Sequence, residues 1–426
     1  MFCIIDGTRF YSESSVIYKP QHRNVPILVS AGQGISIAAN RACSLLRISK
    51  FTPIWEELDK LRLHNGLIYR ANFNSLSHIS DRFMSCIELN AMGTRTYRYS
   101  VDEIFLDFSH LHSIKVPLDE FAMGLRKRTY RETGVATGCG IGPTLTLCKA
   151  ASWAAKNLAG YAGQCWLESE EHIDAVLEAM PIDKVWNIGS SYTKHLKAEG
   201  LFTALQLKRC NAVDYQKRYS INIANVIHEL NSISVLNFST IREKKKQIWS
   251  TASYRDRLKT QESLFAEIAY HCSNVMLKVR GQQSEALKLS VFVSTSRFDS
   301  CPPFYKRVDI ELEEGLTDTG YALKQLRNIY SKLLPHSLYQ QPIYKLGVGT
   351  TQLNDAERKQ FELFNNFDNK TPLNSALDSL NLRFGKGAIG YASQSRGYRE
   401  KDGDIEFEEL ENYYTDINEI LTVQCI

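Results

Sequence analysis

Residues 96–108 read Thr-Tyr-Arg-Tyr-Ser-Val-Asp-Glu-Ile-Phe-Leu-Asp-Phe. Apolar and polar side chains alternate in Thr96–Val101 and again in Ile104–Phe108, which is the pattern of half-buried β-strands. Asp102 and Glu103 stand between the two runs. We therefore predict a β-hairpin that carries two carboxylates at its turn.

The segments around this hairpin predict the other elements of the first half. In chain order they are a strand Phe2–Ile5 that ends at Asp6, a strand Pro26–Ser30, a helix Ser36–Ile48, a helix Asp81–Leu89, the hairpin, a helix Leu118–Thr133, a strand Thr137–Gly142 and a helix from Pro143 to about Lys156. Strand, helix, hairpin, helix and strand follow one another in the ferredoxin-like arrangement, an antiparallel sheet with helices on one face. This topology allows Asp6, Asp102 and Glu103 to meet at one edge of the sheet.

Three carboxylates at one sheet edge repel one another, and a hard cation can offset their charge. Mg²⁺ prefers oxygen ligands, commonly one or two carboxylates together with water and substrate phosphate. Two such ions activate an attacking oxygen and stabilise a leaving oxygen in phosphoryl transfer. Spacing alone leaves the alternative open that Asp102 and Glu103 form a solvated turn, a position that Asp suits.

The second half of the chain predicts two further regions. The pattern is helical from Ile173 to about Leu236, and from about Thr240 to Pro335 strands and helices alternate as a small α+β unit. The elements of that unit are strands Ile248–Ser253, Lys288–Ser294 and Val308–Leu312 and helices Glu262–Val279 and Thr319–Leu334. Beyond Gly347 the sequence is polar and weakly periodic.

Length and composition restrict the class of protein. A chain of 426 residues corresponds to roughly three domains at about 150 residues each. The contents of 43% hydrophobic and 23% charged residues are those of globular proteins. No apolar run is long enough for a membrane span, and the acidic Asp6 in the N-terminal segment argues against a signal peptide. Ten scattered cysteines without a C-x-x-C pair predict reduced thiols in a cytoplasmic protein.

Charge is distributed unevenly along a chain whose net charge is +4. Residues 241–306 contain twelve Lys or Arg against six Asp or Glu, and residues 399–426 contain nine acids against two bases. A basic region with interleaved aromatic rings can bind a phosphate backbone, although a charged run is most often a solvated face. The acidic end is either a solvated arm or a competitor for the basic surface.

Several motifs in chain order resemble those of the Y-family DNA polymerases, in particular the UmuC type. They are Phe2–Tyr11 with Tyr99–Asp107, Gly140–Thr144 with the helix to Lys156, Val185–Gly189 and Leu380–Gly387. The likeness covers nearly the whole chain. It implies an α+β fold shaped as a right hand: a ferredoxin-like palm (1–15 and 70–165), small fingers (16–69), a helical thumb with a helix–hairpin–helix (166–238), an α+β little finger (239–348) and a C-terminal tail (349–426).

The resemblance also implies a reaction. In that family two Mg²⁺ ions are bound at the positions of Asp6, Asp102 and Glu103, and a dNTP is joined to a primer on template DNA. The implied protein is a low-fidelity translesion polymerase of the SOS response. A catalytically inactive polymerase would not need these acids, so the presence of all three favours activity.

Further positions match the nucleotide site of the family. Phe10 and Tyr11 match its aromatic pair, in which Tyr11 is the steric gate against a ribose 2′-OH, and Lys156 matches the lysine that reaches the triphosphate. An ordinary core aromatic and a solvated lysine are the alternatives. The fingers segment 35–48 departs from the family, because Ala39, Arg41, Ala42 and Ser44 replace its Arg, Asn, Glu and Lys, and Arg41 or Arg47 is the candidate substitute. Leu145 and Asn187 replace a usual Lys and a usual Gly.

The C-terminal region carries a motif for a protein partner. Gln360-Phe361-Glu362-Leu363-Phe364 resembles the peptide that docks into the sliding clamp, with Gln360 for hydrogen bonding and Leu363 and Phe364 as apolar anchors. The alternative is a helix end with two core residues. UmuC-type relatives act with a cleaved UmuD dimer and a RecA filament, so the resemblance implies these partners and no membrane.

Two functions of different classes are consistent with this sequence. The first is a translesion DNA polymerase. The second is a non-catalytic scaffold of polymerase shape that holds DNA and the clamp and regulates repair, and the altered fingers segment is its main support. A nuclease that uses the same acids has no obvious base for activating water.

Overall fold

The computed structural model of the protein describes residues 1–32, 34–238, 244–356, 371–385, 387–394 and 407–415. The strands are β1 (Phe2–Gly7), β2 (Ile27–Ser30), β3 (Ser36–Ala39), β4 (Leu67–Arg70), β5 (Thr96–Arg98), β6 (Glu103–Asp107), β7 (Thr137–Gly142), β8 (Gln164–Trp166), β9 (Ile248–Leu258), β10 (Ser284–Ser294), β11 (Tyr305–Leu316), β12 (Ile343–Asp355) and β13 (Glu408–Glu409). The helices are α1 (Phe10–Ser15), α2 (Arg41–Leu45), α3 (Ile54–Leu63), α4 (Phe73–Asn90), α5 (Ser109–Ser113), α6 (Leu118–Thr133), α7 (Leu145–Asn157), α8 (Glu170–Ala179), α9 (Ser190–Ala198), α10 (Ala204–Lys208), α11 (Ala212–Arg218), α12 (Ile221–Leu230), α13 (Gln261–Gly281), α14 (Thr319–Ile329) and α15 (Thr371–Phe384).

The chain forms two compact units. The first contains Met1–Arg242 together with Asp402–Ile426, and the second contains Glu243–Lys401. Within the described residues, no helix is both long and apolar enough to cross a membrane.

The first unit is built on a five-stranded sheet of order β5-β6-β1-β7-β8. The predicted hairpin is present, because β5 and β6 pair antiparallel and β6 then pairs with β1. Helices α4 and α6 pack on one face, against side chains that include Ile5 and Ile141. The two helices of the predicted ferredoxin-like arrangement thus lie on one face, as expected, and helix α7, which follows its last strand, packs on the other face.

Glycines in β7 allow α7 to approach this closely. A Cβ atom at Gly140 would lie 2.3 Å from the carbonyl oxygen of Cys148 on α7, and one at Gly142 would lie 3.0 Å from the backbone of Leu147. Only glycine fits a strand at such distances from helix backbone. The small-residue strand that the sequence predicted is therefore the surface on which α7 rests.

The region predicted as fingers contains a sheet of order β13-β4-β2-β3. The predicted helix Ser36–Ile48 is wrong in its first third, because Ser36–Ala39 is the strand β3 and alternates between buried and half-buried residues. Helix α2 begins only after Asn40, whose side chain accepts the backbone N–H of Cys43 at 3.1 Å. Asn40 is a favourable N-cap, and it separates the strand from the helix.

The thumb region consists of the five helices α8–α12, as the helical pattern predicted. Their apolar side chains form one core with α7, which includes Leu177, Leu196 and Ile227. Asn187 adopts a left-handed backbone with φ of 69° before α9 begins. Asn tolerates this conformation better than most residues, so it is a mild change from the Gly that is usual in the family that the chain resembles.

The second unit is a four-stranded antiparallel sheet of order β11-β10-β12-β9 with helices α13 and α14. The predicted helices and three predicted strands are present. The strand β12 was missed, and it runs through position 348, where the sequence placed the end of the little finger. Helix α15 is attached to α13 by a bidentate ion pair between Arg280 and Asp378, with N–O distances of 2.7 and 2.8 Å.

The described part of the acidic tail belongs to the first unit. Strand β13 pairs parallel with β4, with Glu408 opposite Tyr69. Leu410 is 1% exposed in the same core as α4, and Tyr414 stacks on Tyr18 with ring centroids 5.1 Å apart. Asn72 donates from its amide to the carbonyl oxygen of Leu410 at 2.8 Å. Residues 407–415 thus lie on the regions predicted as fingers and palm.

Candidate active site

The three predicted acids lie together at one edge of the palm sheet. Asp6 is near the end of β1 and faces Glu103 across the ladder. Asp102 comes directly before β6, and its carbonyl oxygen accepts the N–H of Gly7 at 2.7 Å. Antiparallel pairing therefore brings the end of one strand and the turn of the hairpin to the same place.

Each acid has its own partner in the structure. Asp6 forms an ion pair with Lys156 at 2.5 Å, and Glu103 forms one with Lys149 at 2.6 Å. Asp102 accepts a hydrogen bond from the Ser100 hydroxyl at 2.8 Å. Both lysines come from α7, on the face that packs against the sheet.

The acids repel one another despite these partners. Burial raises the pKa of Asp6 to about 6, and the charges of Glu103 and Asp102 add to this rise, while Lys156 opposes it. Burial also raises the pKa of Asp102, as does the charge of Glu103. Burial is therefore the main cause of both rises, and the neighbouring carboxylates add to it.

The residues suit a divalent cation by their chemistry. All three offer carboxylate oxygens, which Mg²⁺ prefers, and a cation would favour the charged forms of Asp6 and Asp102, which burial disfavours. As the side chains stand, no described group of three or more His, Cys, Asp or Glu is arranged to hold a metal ion. For a shared ion to bind, Asp6 would have to turn from Lys156 toward it.

The aromatic pair lies next to the acids. Phe10 is buried in the core of the palm at 2% exposure. Tyr11 is half-buried, and its ring stands edge-on to Phe10 and to Phe73 with centroids 6.1 and 6.2 Å away. Burial and the nearby charge of Asp102 raise the pKa of Tyr11. Tyr11 is therefore a neutral ring beside the acid cluster.

The remaining predicted site residues are Arg41, its alternative Arg47 and the residues of the clamp motif. Arg41 is exposed at the start of α2 and makes no hydrogen bond or ion pair that the described residues reveal. Arg47 is exposed as well, with a left-handed backbone. The clamp motif with Gln360, Leu363 and Phe364 lies outside the described residues.

Sequence reasoning missed Lys149. This residue precedes Lys156 by seven positions, which is two turns of α7, so both lie on one face of that helix. That spacing was the available signal. A helix that presents two lysines to an edge with three acids supplies charges that the strands alone cannot.

Two family models match the chain. The model described as the impB/mucB/samB family matches residues 5–153, and the model described as the C-terminal domain of that family matches residues 245–363. The chain belongs to the impB/mucB/samB family. The resemblance to Y-family polymerases of the UmuC type is thereby confirmed, and the family is one of translesion DNA polymerases.

Relatives in this family match nearly end to end. The chain is 27% identical to Protein ImpB of Salmonella typhimurium over 406 residues, which cover 92% of the chain and 93% of that protein. It is 25% identical to Protein UmuC of Salmonella typhimurium over 403 residues, again with 92% and 93% covered.

A solved structure shares the fold. The insertion ternary complex of Dbh DNA polymerase matches with a TM-score of 0.53 at 15% identity, covering 83% of this chain and 99% of that one. Identity at this level shows the fold alone, and it confirms the predicted α+β polymerase fold.

Proposed function

We propose that this protein is a low-fidelity, template-directed DNA polymerase that copies past damaged bases and uses Mg²⁺. The observation that carries the proposal is the meeting of Asp6, Asp102 and Glu103 at one sheet edge, with two lysines of α7 beside them. Relatives in the family and the fold of Dbh DNA polymerase support the reaction class.

The proposed roles follow from charge and position. Asp6, Asp102 and Glu103 would hold two Mg²⁺ ions. When bound, the ions supply charge that activates the primer hydroxyl and stabilises the leaving pyrophosphate. Lys156 would leave Asp6 and bind the triphosphate, since a flexible ammonium suits phosphate oxygens. Tyr11 would exclude a ribose 2′-OH by contact with its ring.

DNA would be held through backbone contacts that do not read sequence. The sheet of the second unit carries neighbouring rings of Trp249, Phe292 and Tyr305, with centroids 5.8 and 6.1 Å apart, and the Arg307 guanidinium lies over Trp249. At Gly189 no side chain caps the start of α9, which leaves N–H groups for a phosphate. These features and the basic excess of residues 241–306 suit a phosphate backbone.

The proposed protein partners are the sliding clamp, a cleaved UmuD-like dimer and a RecA filament. Gln360, Leu363 and Phe364 would dock into the sliding clamp, and a cleaved UmuD-like dimer and a RecA filament would activate synthesis in the SOS response. A cytoplasmic location follows from this role.

The test is primer extension past an abasic site with Mg²⁺ and all dNTPs. Reactions are run with and without clamp, cleaved UmuD-like protein and activated RecA. We expect the primer to be extended beyond the lesion, and we expect the product to disappear with EDTA.

The second candidate is the non-catalytic scaffold. It is favoured by the altered fingers segment, in which Arg41 is exposed and the usual Lys is absent. Tight binding of primer–template DNA without extension under every condition, on damaged and undamaged templates, would establish the scaffold and overturn the polymerase.

A further inference from the structure

Lys149 is held in a cage of aromatic rings. Its ammonium lies 4.7 Å from the ring centre of Tyr99, 5.8 Å from that of Phe105 and 5.9 Å from that of Trp186. The cage is itself fixed, because the Trp186 indole N–H donates to the Tyr99 hydroxyl at 3.1 Å. The rings of Tyr99 and Phe105 meet edge-on at 5.6 Å, as do those of Tyr99 and Trp186.

The cage explains how an ammonium group stays in a site with little water. The Lys149 side chain is 15% exposed and that of Glu103 is 18% exposed. Ring faces attract cations, and they do so more strongly where water is excluded. The rings therefore stabilise the charge of Lys149 without competing as acceptors, and one oxygen of Glu103, 2.6 Å away, is its single carboxylate partner within the described residues.

The contact leaves half of the Glu103 carboxylate available. Lys149 donates to Oε1, and no hydrogen bond to Oε2 is seen within the described chain. An ionised carboxylate can accept at both oxygens. Lys149 can thus fix the direction of the group while Oε2 remains for a cation, which is how hydrogen-bond donors behind metal ligands act.

We propose that Lys149 is a positioning residue, which the cage of Tyr99, Phe105 and Trp186 holds so that Glu103 is oriented toward a divalent cation. This inference rests on the proposed function, because it concerns the same acids. It goes beyond that function by assigning a role to Lys149 and to Trp186. Trp186 lies in the segment that leads into α9, so the thumb region supplies one wall of a cage at the palm edge.

The experiment measures metal binding directly. The full-length protein is bound to a dideoxy-terminated primer–template and the matching dNTP, so that no turnover occurs, and Mn²⁺ is titrated with detection by electron paramagnetic resonance. We compare wild type with Lys149→Met, which keeps an unbranched stem in the cage, and with Lys149→Arg, which keeps the charge. Lys127→Met is the matched control, because Lys127 is exposed on α6.

We expect Lys149→Met to weaken Mn²⁺ binding about 10- to 100-fold, the usual effect of losing a donor behind a metal ligand. Lys149→Arg should recover part of that loss, Lys127→Met should match wild type, and affinity for primer–template should be unchanged. Wild-type Mn²⁺ affinity in Lys149→Met, or equal losses in the Met and Arg variants, would overturn the inference.

A second variant covers the case in which Lys149→Met does not fold. Trp186→Phe keeps a ring but loses the hydrogen bond to Tyr99, and it should weaken Mn²⁺ binding in the same direction; unchanged binding would overturn the inference. A failure of the proposed function looks different. In that case the wild type would bind no Mn²⁺, or it would bind Mn²⁺ as tightly as Asp102→Ala does.

Discussion

Asp6 combines burial with two neighbouring carboxylates, and its pKa of about 6 has a consequence for stability. The ordinary value for Asp in an unfolded chain is about 3.9. Between pH 4 and 6 the folded metal-free protein therefore holds a proton on Asp6 that the unfolded chain has released. Stability contributed by this group is greatest below pH 4, falls as the pH rises to 6 and stays low above it.

Asp6→Asn should remove this penalty. We expect the metal-free variant to be more stable than wild type at pH 7, by up to about 3 kcal/mol for a shift of two pKa units, and the difference should vanish near pH 4. Urea unfolding in EDTA between pH 4 and 7.5 measures it. Asp107→Asn, at the other end of the paired strands, is the control. A variant less stable than wild type at pH 7 would contradict the pKa of Asp6.

Single residues of the site could be predicted where the backbone pattern places them. Strand alternation predicted that Asp6, Asp102 and Glu103 can meet at one edge, and the strand register brings them there. The pattern alone left a solvated turn open, and the resemblance to Y-family polymerases was needed to favour a site. Lys149 was not found, since its contact with Glu103 depends on how closely α7 approaches the sheet. That approach is set by Gly140 and Gly142, whose meaning is visible only when the helix is in place.

Elements of regular pattern were predicted well, and short ones were not. Helix α6 has the predicted bounds, because a stripe of buried residues runs its full length, from Leu118 to Thr133. The segment Ser36–Ile48 was misread because Ala and Leu have helical propensity, whereas Asn40 divides it into a strand and a short helix. Strand β12 was missed since its glycines and polar residues resemble a loop. Positions 347 and 349 require glycine, because the rings of Phe292 and Trp249 leave no room for a side chain there.

Glu229 joins α12 to the start of α7 and to the segment that follows α12, and it gives a prediction at this scale. It is fully buried, and its carboxylate accepts N–H groups from Thr146 at 3.0 Å, Val235 at 2.9 Å and Leu236 at 3.0 Å. Glu229→Ala would leave the buried Thr146 N–H without an acceptor, at about 1–3 kcal/mol, and would remove two further hydrogen bonds to the carboxylate from the partly buried Val235 and Leu236 N–H groups.

We expect Glu229→Ala to lower the free energy of unfolding by at least about 3 kcal/mol in denaturant titrations. Glu229→Gln should lose less, because its amide oxygen still accepts. The exposed Glu178 provides the control, and its replacement by Ala should change stability by less than about 0.5 kcal/mol. A loss for Glu229→Ala no larger than for Glu178→Ala would contradict the role of Glu229 as a shared acceptor.

At the scale of the molecule, the acidic tail is the part that sequence could not place. Its charge left open whether it covers the basic region or remains solvated. The described residues 407–415 instead attach to the fingers and palm through Leu410, the strand pairing of β13 and the ion pair of Lys19 with Glu408. One buried leucine within an acidic segment specifies this contact, and its partner groove exists only in the folded first unit.

Leu410→Ala should therefore destabilise the first unit, although the residue lies close to the C-terminus. A fully buried Leu replaced by Ala typically costs about 2–5 kcal/mol. Tryptophan fluorescence during urea unfolding is a suitable measurement, because four of the five tryptophans belong to the first unit. Leu382→Ala is the control, since Leu382 is 89% exposed. A change below about 0.5 kcal/mol for Leu410→Ala would contradict the attachment of the tail.

The acids at the palm edge are proposed to carry out nucleotide transfer. The most direct measurement is incorporation of one dNTP into an undamaged primer–template with Mg²⁺, comparing wild type, Asp102→Asn and Asp107→Asn. Both variants exchange one carboxylate for an amide near β6, and Asp107 is at the end away from the cluster. We predict wild-type incorporation, a loss of at least about 10³-fold in Asp102→Asn and a near-normal rate in Asp107→Asn. Equal rates in wild type and Asp102→Asn, or no incorporation by wild type that binds the DNA tightly, would contradict the claim.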